Sequence, residues 1–231
     1  MPFRMTTMPA MPDHGQSKTV PPQASASAWF ATPPGLAILD SEAELILHAL
    51  AERPAQPWLW LAPLLPGAGQ RPPEGRGLRL APDGQDWRGP VHCSLPWPIA
   101  SESFGSVVLQ HVVRTGAPSA LLLEECARIL SPGGVLWLFV LNPLAPYRWH
   151  WRASGLHASE PLTWRRRLRA AGLTPAPVSQ GIGPRWQVAA DTSTQDGPGM
   201  RAAYALRAEK RTIPMTPVRG RALRLENVSA A

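Results

Sequence analysis

The sequence predicts an α/β fold: a mostly parallel sheet with helices on both faces. Three observations carry that prediction. Ser106–Gln110 (SVVLQ) and Val135–Leu141 (VLWLFVL) are apolar runs of strand length, joined by a segment of helical period and a Pro132-Gly133-Gly134 turn. Pro57–Leu61 (PWLWL) is a third apolar run, and strands with so few polar residues must be covered on both faces. The alternation of strand and helix then continues to a final run at Ala202–Ala208.

Taken in order, Met1–Ala28 is rich in Met, Pro, Ser and Ala without periodicity and reads as a disordered tail. Order begins at Trp29-Phe30. Ile38-Leu39 reads as a short edge strand. Ser41–Arg53 reads as a helix capped by Asp40 or Ser41, with Ala43, Ile46, Leu47 and Leu50 on one face and Pro54 ending it. Pro57–Leu61 is the first buried strand, Gly77–Ala81 a weaker second, and Val91–Cys93 a third after a turn over Asp83–Gly89. In the helix Ser119–Leu130, Leu122, Cys126 and Ile129 share a face and Glu124 pairs with Arg128 at i, i+4. Pro143–Pro161 is a long irregular connection. Leu162–Ala171 is a helix with Trp164, Leu168 and Ala171 inward and its arginines outward, capped by Gly172. Trp186–Ala190 reads as a strand and Ala202–Ala208 as the last one. The body therefore spans 29–217, and 218–231 is a flexible basic tail.

Composition narrows the function classes. A 44% hydrophobic chain of 231 residues buries a sizeable core, while 28 prolines and 19 glycines imply long irregular connections. The net charge of +7 favours polyanions such as RNA, or an anionic membrane surface. Cys93 and Cys126 form neither a ligand cluster nor a disulfide framework, so no metal site is expected and the chain suits a reducing compartment. Residues 1–28 hold no apolar signal region, and Val135–Leu141 is too short to span a bilayer. The chain reads as a soluble cytoplasmic protein.

Leu95-Pro96-Trp97, Phe104-Gly105, Val107–His111 and Ile129-Leu130-Ser131-Pro132-Gly133-Gly134 stand in one ordered series. That series resembles the class I S-adenosylmethionine (SAM)-dependent methyltransferases, the type 11 group in particular. Their pattern runs LPF, Phe-Asp, an apolar strand, a helix ending in L-K-P-G-G, and another apolar strand. The tail Lys210–Pro217 (KRTIPMTP), with Trp29-Phe30, is similar to a divergent proteobacterial group of methyltransferase-like chains. The resemblance implies a Rossmann-like, seven-stranded sheet and SAM as cofactor, held at the carboxyl ends of the first strands.

The same resemblance implies where SAM and its acceptor would lie. The first loop, Ala62–Gly69, would curl around the methionine end, with Gly67 and Gly69 as its glycines; the usual leading glycine and acid are absent near Leu61–Pro63. Asp83 is the nearest acid for the ribose, though a turn-forming role in the PDG sequence explains it better. His92, Cys93 and Leu95 would border the adenine, and Gln110 the sulfonium. His111, at a strand end, is the acid/base candidate, the alternative being a structural histidine. Tyr147, Arg148, Trp149 and Trp151 would face the acceptor or a partner, by stacking and phosphate pairing, unless the loop packs its tryptophans inward. Asn142-Pro143 is similar to the Asn-Pro-Pro-aromatic motif of amino-methyltransferases but follows the wrong strand.

Two functions remain: a SAM-dependent methyltransferase-like protein with a degraded cofactor site and an unknown acceptor, or a non-catalytic module of the same fold that binds RNA or a protein. A dinucleotide oxidoreductase is disfavoured, because no GxGxxG follows the first strand.

Overall fold

The computed structural model describes residues 27–67, 73–113 and 117–211. Gly69, Thr212–Pro217 of the tail match, residues 1–26 of the expected N-terminal tail and the expected tail 218–231 lie outside the described residues, while Ser27 and Ala28, expected in the N-terminal tail, are helical.

A helical turn over 27–30 leads into α1 (Pro33–Ala51). Thr32 stands at its N-cap and Pro33-Pro34 at its first positions, where a missing N–H costs nothing. This start corrects two expectations. Ile38-Leu39 is helix, not an edge strand, and neither Asp40 nor Ser41 is a cap. Ser41 is buried in the middle of the helix, where its hydroxyl donates to the Ala37 carbonyl at 2.6 Å. A Cβ on Gly35 would sit 2.5 Å from the Phe30 backbone, so glycine is what lets Trp29-Phe30 fold against the helix. The inward face is also rotated from the expected one. Ala43 and Leu47 are exposed, while Ile38, Glu42, Ile46 and Leu50 are buried at intervals of four.

Among the described residues the sheet has ten strands: β1 (Trp58–Leu61), β2 (Gly77–Asp83), β3 (Asp86–Arg88), β4 (His92–Cys93), β5 (Phe104–Gln110), β6 (Leu130–Leu141), β7 (Thr174–Pro175), β8 (Gln180–Ile182), β9 (Gln195–Asp196) and β10 (Ala203–Glu209). Their order is β4-β3-β2-β1-β5-β6-β10-β8-β9, with β7 also paired to β10. The pairs β1–β2, β1–β5 and β5–β6 are parallel, and β10 runs antiparallel to β6. The three apolar runs are therefore central parallel strands, as their composition demands. Between β5 and β6 lies α2 (Ala117–Ile129), and before β7 lies α3 (Pro161–Ala170). The Pro132-Gly133-Gly134 turn is an irregularity at the start of β6, with Gly133 at φ +72°.

Alternation along the strands builds two cores. Leu59, Leu61, Val107, Leu109, Leu136 and Leu138 pack toward Trp164 and Leu168 of α3 and the inner face of α2. Trp58, Trp60, Val108, Trp137 and Phe139 point the other way, against Ile46, Ala49 and Leu50 of α1.

Other expectations need correction. Asp83–Gly89 is not a simple turn: Asp86–Arg88 is a strand that folds back antiparallel on β2, and β4 follows it at the sheet edge. Trp186–Ala190 is not a strand; Trp186 and Val188 are exposed there, and the strand lies earlier, at β8. Arg128 pairs with Glu125 rather than Glu124. The physical reason is the Trp97 N–H, which donates to Glu125 Oε1 at 2.7 Å and draws that acid to the inner side of the helix.

Candidate functional site

The carboxyl ends of β1, β2 and β5 meet where this kind of sheet holds ligands. At the end of β5 stand Gln110 and His111. Trp60 Nε1 donates to Gln110 Oε1 at 3.2 Å, and Gln110 Nε2 donates to Glu42 Oε2 at 2.8 Å. His111 Nε2 lies 2.8 Å from the other oxygen, Glu42 Oε1. The side chains of His111 and Glu42 are 2% and 0% exposed. Phe30 closes this network from outside, its ring stacked on the imidazole at 4.8 Å and 22°. His111 sits at φ +53°, a conformation histidine tolerates at the end of a strand, and its N–H still donates to the Phe139 carbonyl at 2.9 Å. A buried carboxylate is expensive unless its oxygens are satisfied, and here each accepts from one side-chain donor.

Beside the network, the Arg79 guanidinium lies 3.9 Å over the Trp60 ring and donates to the Leu64 carbonyl at 3.1 Å. Burial pushes its pKa down. Among the described residues, the connection from β1 to β2 contains no helix. The rings of Trp58 and Trp60, with Arg79 over the latter, occupy the α1 side of the sheet there.

Among the described residues, those assigned to SAM are turned to partners within the chain or to solvent. Ala62 is fully buried and its N–H is spent on the Leu80 carbonyl. Pro63 and Pro66 have no N–H to offer. Gly67 has no positive φ, and a Cβ on it would meet no protein atom within 4 Å, so the fold itself does not require glycine there. Asp83 ends β2 as the ribose acid would, but it lies in the hairpin, about half exposed and 3.6 Å from Arg88 Nε. His92 is exposed and faces Asp86 at 3.8 Å. Cys93 is half-buried, and burial together with the Asp86 charge raises its thiol pKa. Leu95 packs on the larger core. Gln110 and His111 come together as expected, but onto Glu42 rather than an open cleft. Among the described residues, Ala62, Asp83, Gln110 and His111 are each engaged by other groups of the chain.

The aromatic insert divides. Tyr147 is buried, donates to the Pro34 carbonyl at 3.1 Å, and has its pKa pushed up to about 12 by burial. Trp151 is buried among Trp29, Phe30 and Leu141. These two are packing residues, which corrects their assignment to a partner surface. Trp149 is 68% exposed, with the Arg152 guanidinium 3.2 Å from its ring centre, and Arg148 is exposed beside it.

Sequence reasoning missed Glu42, Phe30, Arg79 and Trp60. A signal for Glu42 was present: it stands in the series Ile38, Glu42, Ile46, Leu50, where every other member is apolar. Among the described residues no group of His, Cys, Asp and Glu is arranged to hold a metal ion, and no helix is long and apolar enough to cross a membrane.

The sequence matches no protein-family model, and no curated protein matches it. Solved structures do resemble the fold. A SAM-dependent methyltransferase of Thermotoga maritima, described as a possible histamine N-methyltransferase, is 14% identical, with a TM-score of 0.52 over 80% of this chain and 93% of that one. A chain of the complex between the Trm112 methyltransferase activator of Haloferax volcanii and a methyltransferase is 18% identical, with a TM-score of 0.49 over 83% and 98%. The 1,6-didemethyltoxoflavin-N1-methyltransferase of Burkholderia thailandensis, solved with S-adenosylhomocysteine, is 14% identical, with a TM-score of 0.45 over 80% and 81%. At such identity the likeness to the Thermotoga enzyme shows the fold alone: this chain has the Rossmann-like fold of the class I methyltransferases.

Proposed function

We propose that the protein is a non-catalytic module of the methyltransferase fold that binds a macromolecular partner instead of transferring a methyl group. One observation carries this reading: the ligand end of the sheet is filled by the chain itself, with Glu42 spent on Gln110 and His111 and Phe30 stacked over them. An acid/base residue must come within hydrogen-bond reach of its substrate. The His111 side chain is 2% exposed, with Nε2 held 2.8 Å from Glu42 and Nδ1 buried, without a partner among the described residues. The same reading is supported by Ala62, whose N–H is spent on the Leu80 carbonyl, and by Asp83, which faces Arg88 in the hairpin. The test is calorimetric titration of the full chain with SAM and with S-adenosylhomocysteine. No heat with ligand at about 100 µM is expected. A dissociation constant in the micromolar range or below would overturn the reading.

The fold itself favours a second reading, SAM-dependent methyl transfer to an unidentified acceptor. When bound, SAM would supply the electrophilic methyl group. The chain's own part would be to orient the reactants, with Phe30 moved away from His111 so that the end of β5 opened. Calorimetry separates the two readings directly.

A further inference from the structure

Two exposed tryptophans emerge from one end of the sheet. Trp149 follows β6 and Trp186 follows β8, and they are 68% and 66% exposed. The ends of these strands lie side by side: Leu141 is opposite Ala203, which is opposite Ile182. That places the two loop roots roughly 10 Å apart, two strand spacings. Both roots are tied to the same residue. Asn142 N–H donates to the Ala202 carbonyl, and Ala202 N–H donates to the Pro184 carbonyl, each at 2.9 Å.

Each tryptophan has arginine beside it: Arg152 over the Trp149 ring with Arg148 adjacent, and Arg185 next to Trp186. Among the described residues, none of these three arginines is ion-paired. Between Pro143 and Ala190 the chain carries seven arginines and one acid, Glu160. The second loop is also held in place. Buried Arg201 bonds to the Gly183 carbonyl, Asp191 and Ser193, and Asp191 N–H donates to Ser41 Oγ at 2.9 Å. A cavity of about 340 Å³ opens along 184–191, beside Trp186.

We propose that this end of the sheet is a docking surface for single-stranded RNA, with Trp149 and Trp186 stacking on two bases and Arg148, Arg152 and Arg185 facing the phosphates. The proposal rests on the module reading and names its partner. Stacking on a rigid aromatic is open to any unpaired base, and planar guanidinium groups suit phosphate. RNA is the abundant single-stranded polyanion whose bases are free to stack.

The experiment is fluorescence anisotropy of the full chain with a labelled 12-nucleotide single-stranded RNA. Trp149→Ala with Trp186→Ala should weaken binding about a hundredfold, taking about tenfold per lost stack. Three phosphate contacts predict that raising salt from 50 to 200 mM weakens the wild type by roughly twentyfold. Replacing Arg148, Arg152 and Arg185 together by Ala should remove most of that salt dependence. Absence of wild-type binding would overturn the proposal. Unchanged affinity in the tryptophan double variant, equal affinity for duplex RNA, or tighter binding of single-stranded DNA would overturn it too. Thermal melting of the variants should match the wild type, because the replaced side chains are exposed. SAM calorimetry on the same sample keeps the two failures apart: heat with SAM sinks the module reading whatever RNA does, and loss of RNA binding without SAM heat sinks only this surface.

Discussion

Replacing Glu42 by Ala should be among the most damaging single changes in the α1 layer. Glu42 is fully buried and accepts from Gln110 Nε2 and His111 Nε2, each at 2.8 Å. Truncation leaves both donors without an acceptor in a dry site, at about 1–3 kcal/mol each. It also opens a cavity under Phe30. About 3–5 kcal/mol is the expected total, the range for removing one partner of a buried polar pair. For a domain whose whole stability is about 5–15 kcal/mol, that is a large fraction. At about 2–4 °C per kcal/mol for a chain of this size, melting should fall by roughly 6–20 °C. Glu42→Gln keeps the shape and one acceptor oxygen, so it should cost about 1–3 kcal/mol. The assay is urea unfolding at pH 7, with unfolding slopes compared so that only midpoints are read as stability. A double-mutant cycle with His111→Ala should show about 0.5–3 kcal/mol of coupling. If Glu42→Ala unfolds within about 0.5 kcal/mol of the wild type, or the cycle shows no coupling, the network does not hold α1 on the sheet and the argument for a closed ligand end falls with it.

The tryptophans of the insert should separate cleanly: Trp151→Ala, in the core beside Trp29 and Leu141, should cost about 3–5 kcal/mol, whereas Trp149→Ala should stay within about 0.5 kcal/mol, both by urea unfolding. Comparable costs at the two positions would refute the division of the insert into packed and free faces. The Glu125 carboxyl is held below its ordinary value by hydrogen bonds from Arg128 and then from the Trp97 N–H, against the opposing effect of burial. A depressed folded-state pKa gives stability that is complete above the unfolded value of 4.5 and is lost as pH falls through the folded value. The urea midpoints of wild type and Glu125→Gln should therefore differ most at neutral pH and converge as pH drops below 4.5; a gap that does not change with pH would refute the pairing.

The central strands were legible because burial on both faces leaves a local mark: Trp58–Leu61, Val107–Gln110 and Val135–Leu141 carry almost no polar residues, and a short apolar run is strand-like wherever it occurs. The buried faces of α2 and α3 were readable from the 3.6-residue period for the same reason. Local signals misled where two conformations compete over a few residues. Ile38-Leu39 has strand propensity, but Thr32-Pro33-Pro34 starts a helix that overrides it. Glu125 and Glu124 are equivalent in sequence, and only the Trp97 amide, 28 residues earlier, selects between them.

The candidate site was legible by position and not by occupancy. Sequence order placed Gln110 and His111 at the end of a strand, and the structure keeps them there. That Glu42 meets them from 68 and 69 residues away, with Phe30 laid over the imidazole, is written in no local pattern. Hydrophobic periodicity treats a glutamate on an apolar face as an interruption, whereas in the folded chain it is the acceptor that lets two other polar side chains be buried. Likewise the chain determined by itself that Tyr147–Arg152 is an aromatic and basic segment, but only the packing against Pro34 and Trp29 turned Tyr147 and Trp151 inward and left Trp149 in water. Propensity and periodicity are properties of neighbours along the chain. The satisfaction of a buried polar atom is decided by whichever distant group the fold brings within about 3 Å.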